Sequence, residues 1–464
     1  MYNDIKKDLS LFNDLALKIL KEENNNPIAT NISPNKINET LDLTLNHQPT
    51  NLDFFKKTLE QILINTPKSS SKLFFNQLFG GRQSKAVLGD LLSVFLNNSM
   101  ATYKIAGPQV AIEKEIIGKV CKIIGYPENS GGTFPTGGSM SNFMSLIVAR
   151  DKFDSHIKSK GTSKKLIIYT SENGHYSISK NVSFSGIGKD NIRILKSDFE
   201  GKICPLNFER QIEKDIKENN IPFYLNATAG TTVLCAFDPV KDLSKICKKH
   251  GIWLHLDGAF GGTVIFSEKY KYLVNGIQLT NSFCFNAHKT LGAPLSTSVL
   301  LIRDKEDLYN SFKNEAEYLY QTHSDQFNLG QTSFECGRRN NALKFWTLWK
   351  AIGTYGLEKI IDHEFNLAEH TYNYVNNHPE YTLHSFKNSL SICFNYKDYD
   401  PIDLCTKLYE YNTIMVGFGS FKKKNFIRLV IVNSENTTKD IDNFFSTLEA
   451  FCIQNNNKIN KIKK

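Results

Sequence analysis

Short β-favouring runs that each give way to a polar or glycine-rich loop, with helical stretches between them, constrain this chain more than any other feature. Ile252-Trp253-Leu254-His255-Leu256 ends at Asp257 and is followed by Gly258-Ala259-Phe260-Gly261-Gly262, which is a loop composition. Pro222 to Thr228 gives way in the same manner to Ala229-Gly230-Thr231-Thr232, and Ser282 to Phe285 gives way to Asn286-Ala287-His288-Lys289. A fourth run, Leu166 to Thr170, precedes Ser171-Glu172-Asn173-Gly174-His175-Tyr176-Ser177. Helical segments such as Val240 to Lys249 supply the crossovers that parallel strands require, so the pattern predicts an α/β fold with a mostly parallel sheet. In open sheets of this kind ligands bind outside the carboxyl ends of the strands. His175, Thr228, Asp257 and Lys289 are therefore expected at one crevice.

An aspartate and a lysine 32 residues apart are ordinarily two solvated surface charges. At neighbouring strand ends they suit pyridoxal phosphate. That cofactor needs a lysine amine to hold it covalently and a carboxylate to keep its pyridine nitrogen protonated, so that the ring acts as an electron sink. Its phosphate needs a cradle. Gly137-Gly138-Ser139-Met140-Ser141-Asn142 opens a run, Phe143 to Arg150, whose apolar residues fall at helical spacing. A helix N-terminus there would offer backbone N–H groups, the positive end of the helix dipole and a hydroxyl from Ser139 or Ser141. Glycine and serine before a helix also serve as simple caps. No Walker sequence and no G-x-G-x-x-G after a strand is present, which removes support for a nucleotide site. His175, just past a strand end, could lie flat on a cofactor ring.

Seven blocks in order, F-F-N-Q-L-F (Phe74 to Phe79), T-G-G-S-M-S-N (Thr136 to Asn142), S-E-x-x-H-Y-S, N-A-T-A-G-T-T (Asn226 to Thr232), H-L-D-G-A-F-G-G, N-A-H-K and F-I-R-L-V-I-V-N (Phe426 to Asn433), resemble the group II pyridoxal-dependent amino-acid decarboxylases. The resemblance covers roughly residues 70 to 450, and the F-N-Q-L block looks like the branch acting on glutamate, aspartate or cysteine sulfinate. It implies fold type I, the aminotransferase-like architecture: a mostly parallel central sheet with helices on both faces, plus a small C-terminal α+β domain. It further implies Lys289 as the lysine that carries the cofactor, Asp257 as the partner of the pyridine nitrogen, Ala259 beneath the ring, His175 above it, and Thr228 facing the phenolic oxygen. Gly138, Ser139 and Met140 match the phosphate-binding turn, and Asn286 and His288 match positions that reach the phosphate. Arg428 matches the arginine that grips the substrate's α-carboxylate, Gln77 the glutamine near its distal acid, and Tyr318 a mobile-loop tyrosine that returns a proton. The implied reaction is loss of carbon dioxide from a small acidic amino acid, in a homodimer whose active sites lie at the subunit interface. Other pyridoxal chemistry, namely aromatic amino-acid decarboxylation, transamination or the removal of sulfur from cysteine, which only Cys336 near the mobile loop favours, is the alternative.

The chain departs from the family's usual pattern at several places. Ala287 stands where proline usually precedes the His-Lys pair, Gly258 where alanine usually follows the aspartate, Gly107 in place of a proline, and Ser296-Thr297-Ser298 after the lysine. None removes a catalytic group.

With 464 residues the chain exceeds the usual single-core size. Three consecutive parts are expected: a helical, Asn-rich arm over 1–95 that packs on a partner subunit, the cofactor domain over 96–345, and a small domain over 346–464. The last begins with a long helical pattern around Trp346 to Asn377. Strands are expected at Leu390 to Asn395, Thr413 to Gly417 and Phe426 to Asn433, and a closing helix near Thr437-Thr438. The start of the chain lacks a basic stretch followed by an apolar core, and no run is long enough to span a membrane. Nine cysteines without a C-x-x-C pair favour a reducing cytoplasm over a disulfide framework, and no metal site is expected. The net charge of +9 is sharpened by Lys422-Lys423-Lys424 and the tail Lys458 to Lys464. Neither stretch has interleaved aromatics, so no nucleic-acid partner is expected, although a positive field would help collect dianionic substrates.

Overall fold

In the computed structural model the described residues are 2–23, 27, 28, 32–316, 318–320 and 325–462. The Asn24–Asn26 loop and the last two lysines of the basic tail lie outside them. The described strands are β1 (Phe74–Phe75), β2 (Gly131–Thr133), β3 (Leu166–Ser171), β4 (Ile192–Leu195), β5 (Ile221–Thr228), β6 (Trp253–Gly258), β7 (Ser282–Asn286), β8 (Ser298–Ile302), β9 (Tyr381–Leu383), β10 (Ser391–Tyr396), β11 (Met415–Phe421) and β12 (Lys424–Val430).

The chain packs into two compact units. The larger comprises Arg82–Asn366 and Phe386–Leu390, and its sheet has the order β2-β8-β7-β6-β5-β3-β4. Strands β3 to β7 pair in parallel, while β8 runs antiparallel to both β7 and β2. Every residue of β3, β6, β7 and β8 is buried, as expected of strands covered on both faces. The two faces can be told apart residue by residue. Ile168 lies in the apolar cluster that includes Met144 and Val148 of the helix Gly138–Phe153. Tyr169, one residue on and so on the opposite face, meets Phe208 of the helix Pro205–Lys217 edge-on at 5.2 Å. The expected crossover after β5 is the helix Val240–His250, which ends at Gly251 in the left-handed conformation (φ 66°). Strands β2, β4 and β8 were not read from the sequence.

The smaller unit gathers the residues up to Gly81, Leu367–Ser385 and Ser391–Lys464. Its sheet has the order β1-β11-β12-β10-β9. This division differs from three consecutive parts. Its physical cause is the parallel pairing of β1 with β11, Phe74 beside Met415 and Phe75 beside Val416, which sets the N-terminal segment into the same sheet as the C-terminal strands. The closing helix Thr438–Gln454 begins with a capping box in which the Thr437 and Asp440 side chains each bond the other's backbone N–H. The long helical pattern is the segment Asn341–Asn377, broken at Gly353, whose φ of 68° and ψ of 177° leave the helix.

Candidate active site

At the carboxyl edge of the large sheet lies a cavity of about 200 Å³ lined by Gly138, Ser139, Asn142, His175, Tyr176, Thr228, Gly230, Thr232, Asp257, Ala259, Phe260, Asn286, His288 and Lys289. Strand register explains the convergence. Thr228 of β5 pairs with Asp257 of β6, so these two parallel strands end on polar residues at one level, and β7 runs two residues past Cys284, the partner of Asp257, to Asn286 before the loop that carries Lys289. The helix Gly138–Phe153 starts at the same edge and places Asn142 one turn beyond Gly138, on the same side.

Asp257 is buried and well supplied with donors. Its Oδ2 accepts from the Asn142 amide at 2.7 Å and its Oδ1 from the Ala259 N–H at 3.0 Å. Lys289 is in the opposite condition. Burial lowers the pKa of its ammonium, and the attraction of Asp257 opposes that only in part, so the amine is drawn toward its neutral, nucleophilic form. The Thr228 hydroxyl is buried and has no hydrogen-bond partner among the described residues, a polar group whose natural complement is a ligand.

Both cavity histidines are neutral and their tautomers are fixed. His288 is pushed down to about 3, first by burial and then by the neighbouring Lys289. Its Nδ1 accepts the Thr297 N–H at 2.8 Å, which leaves Nε2–H as the donor. For His175, burial again lowers the pKa, and Nδ1 accepts the Ser177 N–H at 3.2 Å with the Ser177 hydroxyl at 2.8 Å. Its Nε2 is likewise the protonated nitrogen.

The anion cradle is close-packed. A Cβ on Gly138 would come within 2.9 Å of the Ala259 methyl and 3.2 Å of the Asn286 amide nitrogen, so only glycine lets the turn approach these two. Asn286 is oriented by the Ser298 hydroxyl, which donates to its Oδ1 at 2.6 Å and leaves its NH2 directed toward Gly138. The helix's first-turn N–H groups, Ser139, the Asn286 amide and His288 Nε2–H form a donor set suited to a phosphate. Met140 contributes only backbone to that turn, because its side chain packs against the apolar cluster of the helix and sheet.

Two of the departures acquire a local explanation. A Cβ on Gly258 would meet the Phe283 ring at 2.6 Å and the Cys284 carbonyl at 2.7 Å, so this packing has no room for alanine. The Ala287 N–H donates to the Thr297 carbonyl at 2.9 Å, a bond proline could not make.

Gln77 and Arg428 belong to the smaller unit. There they share one neighbour: Arg428 Nη2 donates to the Asn76 carbonyl at 2.9 Å, and Gln77 Nε2 to the Asn76 side-chain oxygen at 2.6 Å. Burial lowers the pKa of the Arg428 guanidinium. Tyr318 is 80% exposed and does not line the cavity. Its flanking residues Glu317 and 321–324 lie outside the described ones. Asn142, Tyr176, Gly230, Thr232 and Phe260 line the cavity without having been singled out from the sequence. For Asn142 the signal was available, since it lies four residues beyond Gly138 on a helix.

The arrangement is that of an enzyme using pyridoxal phosphate, and the chain belongs to the pyridoxal-dependent decarboxylase family, whose conserved domain matches residues 34–397. Within it, the chain is 34% identical to human cysteine sulfinic acid decarboxylase over 443 residues, covering 90% of this chain and 89% of that protein. It is 31% identical to the acidic amino acid decarboxylase GADL1 of Xenopus tropicalis, covering 95% and 90%. The crystal structure of mouse CSAD superposes with a TM-score of 0.91 at 30% identity, covering 96% of this chain and 98% of that one. The fold is the expected type I architecture. No helix among the described residues is long and apolar enough to cross a membrane.

Proposed function

We infer that this enzyme removes the α-carboxyl group of a small acidic L-amino acid, such as cysteine sulfinate, aspartate or glutamate, giving the amine and carbon dioxide. The observation that carries the reading is the meeting of a desolvated Lys289, a doubly hydrogen-bonded Asp257 and an unpartnered Thr228 hydroxyl at one sheet edge. The names borne by the similar proteins support the acidic substrate class.

Bound pyridoxal phosphate supplies a sink for the electron pair left when the bond to the carboxyl carbon breaks. Lys289 would hold it covalently, Asp257 would pair with its ring nitrogen, and Thr228 would meet its phenolic oxygen. Ala259 and His175 would contact the ring faces, and Gly138, Ser139, the Met140 backbone, Asn286 and His288 would take the phosphate. Arg428 would grip the substrate's α-carboxylate with a planar, two-point contact that lysine cannot reproduce, and Gln77 would bind the distal acid. Tyr318 would return the proton that replaces the carboxyl group. The arm over 1–95 would pack on a second copy in a homodimer with shared active sites. Nine cysteines without a disulfide favour a cytoplasmic setting.

The test is to incubate the loaded enzyme separately with aspartate, glutamate, cysteine sulfinate and an aromatic amino acid, measuring carbon dioxide and amine. Turnover of an acidic substrate is expected. Turnover of the aromatic substrate alone would overturn the substrate class, and silence toward all four would overturn decarboxylation.

A further inference from the structure

From Asn142 at the cavity wall, a line of buried polar side chains runs away from the cavity inside the contact between the sheet and the helix Gly138–Phe153. Asn142 Nδ2 reaches Asp257 Oδ2 at 2.7 Å, and Asn142 Oδ1 lies 2.9 Å from His255 Nε2. His255 Nδ1 lies 2.8 Å from Ser282 Oγ, Ser282 Oγ 2.7 Å from Ser145 Oγ, and Ser145 Oγ 3.1 Å from the Tyr224 hydroxyl. All of these residues are buried.

The direction of every bond follows from a few one-way groups. An ionised Asp257 only accepts, so Asn142 presents its NH2 there and its oxygen to His255. His255 must then carry its proton on Nε2, and its bare Nδ1 accepts the Ser282 hydroxyl hydrogen. Burial, which pushes His255 down to about 4, keeps it in this neutral form. The Trp253 indole N–H can only donate, and does so to Ser282 Oγ at 2.9 Å. Ser282 has spent its own hydrogen on His255, so Ser145 donates to it, and Tyr224 donates to Ser145. Tyr224, Ser145, Ser282, His255 and Asn142 therefore all point their donors toward one carboxylate. Such a chain is cooperative, each bond polarising the next.

We propose that Asn142, His255, Ser282, Ser145 and Tyr224 are positioning residues that hold the Asp257 carboxylate oriented for the cofactor's ring nitrogen, with influence that fades along the chain from Asn142 to Tyr224. The proposal rests on the reading of Asp257 given above. Packing alone does not require this line, because a sheet–helix contact of apolar residues of the same shape would be comparably stable.

The experiment uses the full chain, loaded and unloaded, with Asn142→Leu, His255→Phe, His255→Gln, Tyr224→Phe and Asp257→Asn. Three quantities are read: the dissociation constant of pyridoxal phosphate, the pH at which the bound cofactor's visible absorption changes, and the Tm of the unloaded protein. Asn142→Leu is expected to weaken cofactor binding roughly tenfold or more, His255→Phe somewhat less and Tyr224→Phe about twofold. The absorption midpoint should shift in the same order. His255→Gln, which keeps a donor and an acceptor, should recover much of the loss. Folded Asn142→Leu and His255→Phe proteins that bind within about twofold of the parent and titrate at the same pH would overturn the proposal, even with a lowered Tm. If those two fail to fold, Tyr224→Phe and Ser145→Ala decide, and unchanged binding and titration in both would overturn it. Asp257→Asn separates the two levels. No change in that variant refutes the assigned role of Asp257, whereas a large change there beside silent network variants refutes only the network.

Discussion

Each of the two compact units gathers its candidate site residues by a different means. In the larger unit, parallel strands end level with one another, so residues that each close a local strand-loop motif reach one cavity: Thr228, Asp257 and the Lys289 loop. In the smaller unit, Arg428 and Asn76 are 352 residues apart in the chain and meet through side-chain bonding beside short paired strands. The first kind of assembly is robust and readable, because each residue is positioned by its own strand. The second depends on a few hydrogen bonds around Asn76, where neither partner's local sequence indicates the other.

Substitutions can sharpen or break that contrast. Lys289→Ala should lower kcat by roughly a thousandfold or more and abolish covalent capture of the cofactor, measured by carbon dioxide release and by mass spectrometry after reduction. Arg428→Lys, in the smaller unit, should lower kcat/KM by about 10- to 100-fold, the size expected for losing one arm of a charged hydrogen-bonded pair. Gln77→Ala should raise KM more than it lowers kcat, and an unchanged KM would refute its role.

Acid titration tests the larger unit's buried histidines. His255 and His288 titrate near 4 and 3 in the folded chain against an ordinary 6.5. Between those values the unfolded chain binds protons that the folded chain does not. Their contribution to stability is therefore present at neutral pH and is lost as the pH falls below about 6.5. Tm should drop through this window, and more shallowly in His255→Gln.

Gly258→Ala should destabilise by about 1–3 kcal/mol through overpacking against Phe283, read from denaturant midpoints. The smallest effect is expected for Ala287→Pro. Proline suits the first position of the short helix Ala287–Thr290, yet it forfeits the bond to Thr297, so a loss of about 1 kcal/mol should appear with cofactor binding nearly intact.

Much of the larger unit was legible because its polar residues interrupt β-favouring runs at the point where a strand stops. Thr228, Asp257, His175 and the Asn286 to Lys289 block all have that signature. The network behind Asp257 was not legible. His255 sits inside an apolar run and reads as part of a strand, and its partner Asn142 is 113 residues away on a helix. Strand β8 has its polar residue, Ser298, at its start rather than at its end, and so did not match the pattern of a strand closing on a functional group. The two-residue β1 was too short to announce a pairing with residues more than 300 positions on, which is why the N-terminal segment read as a separate arm. Gly353 was one glycine in a helical pattern, and only its backbone conformation shows that the helix stops there.

The antiparallel return of β8 beside β7 has a kinetic meaning. Asn286 pairs with Ser298, and inside that closure the Ala287 N–H and His288 Nδ1 are both tied to Thr297. The segment carrying Lys289 is thus a short loop anchored at both ends, and its amine can move only through its own four-carbon stem. As the residue proposed to hold the cofactor covalently, Lys289 would be kept within its own stem's reach of the cavity. An amine held in this way would act at the effective molarity of an intramolecular group, several orders of magnitude above any free amine in solution.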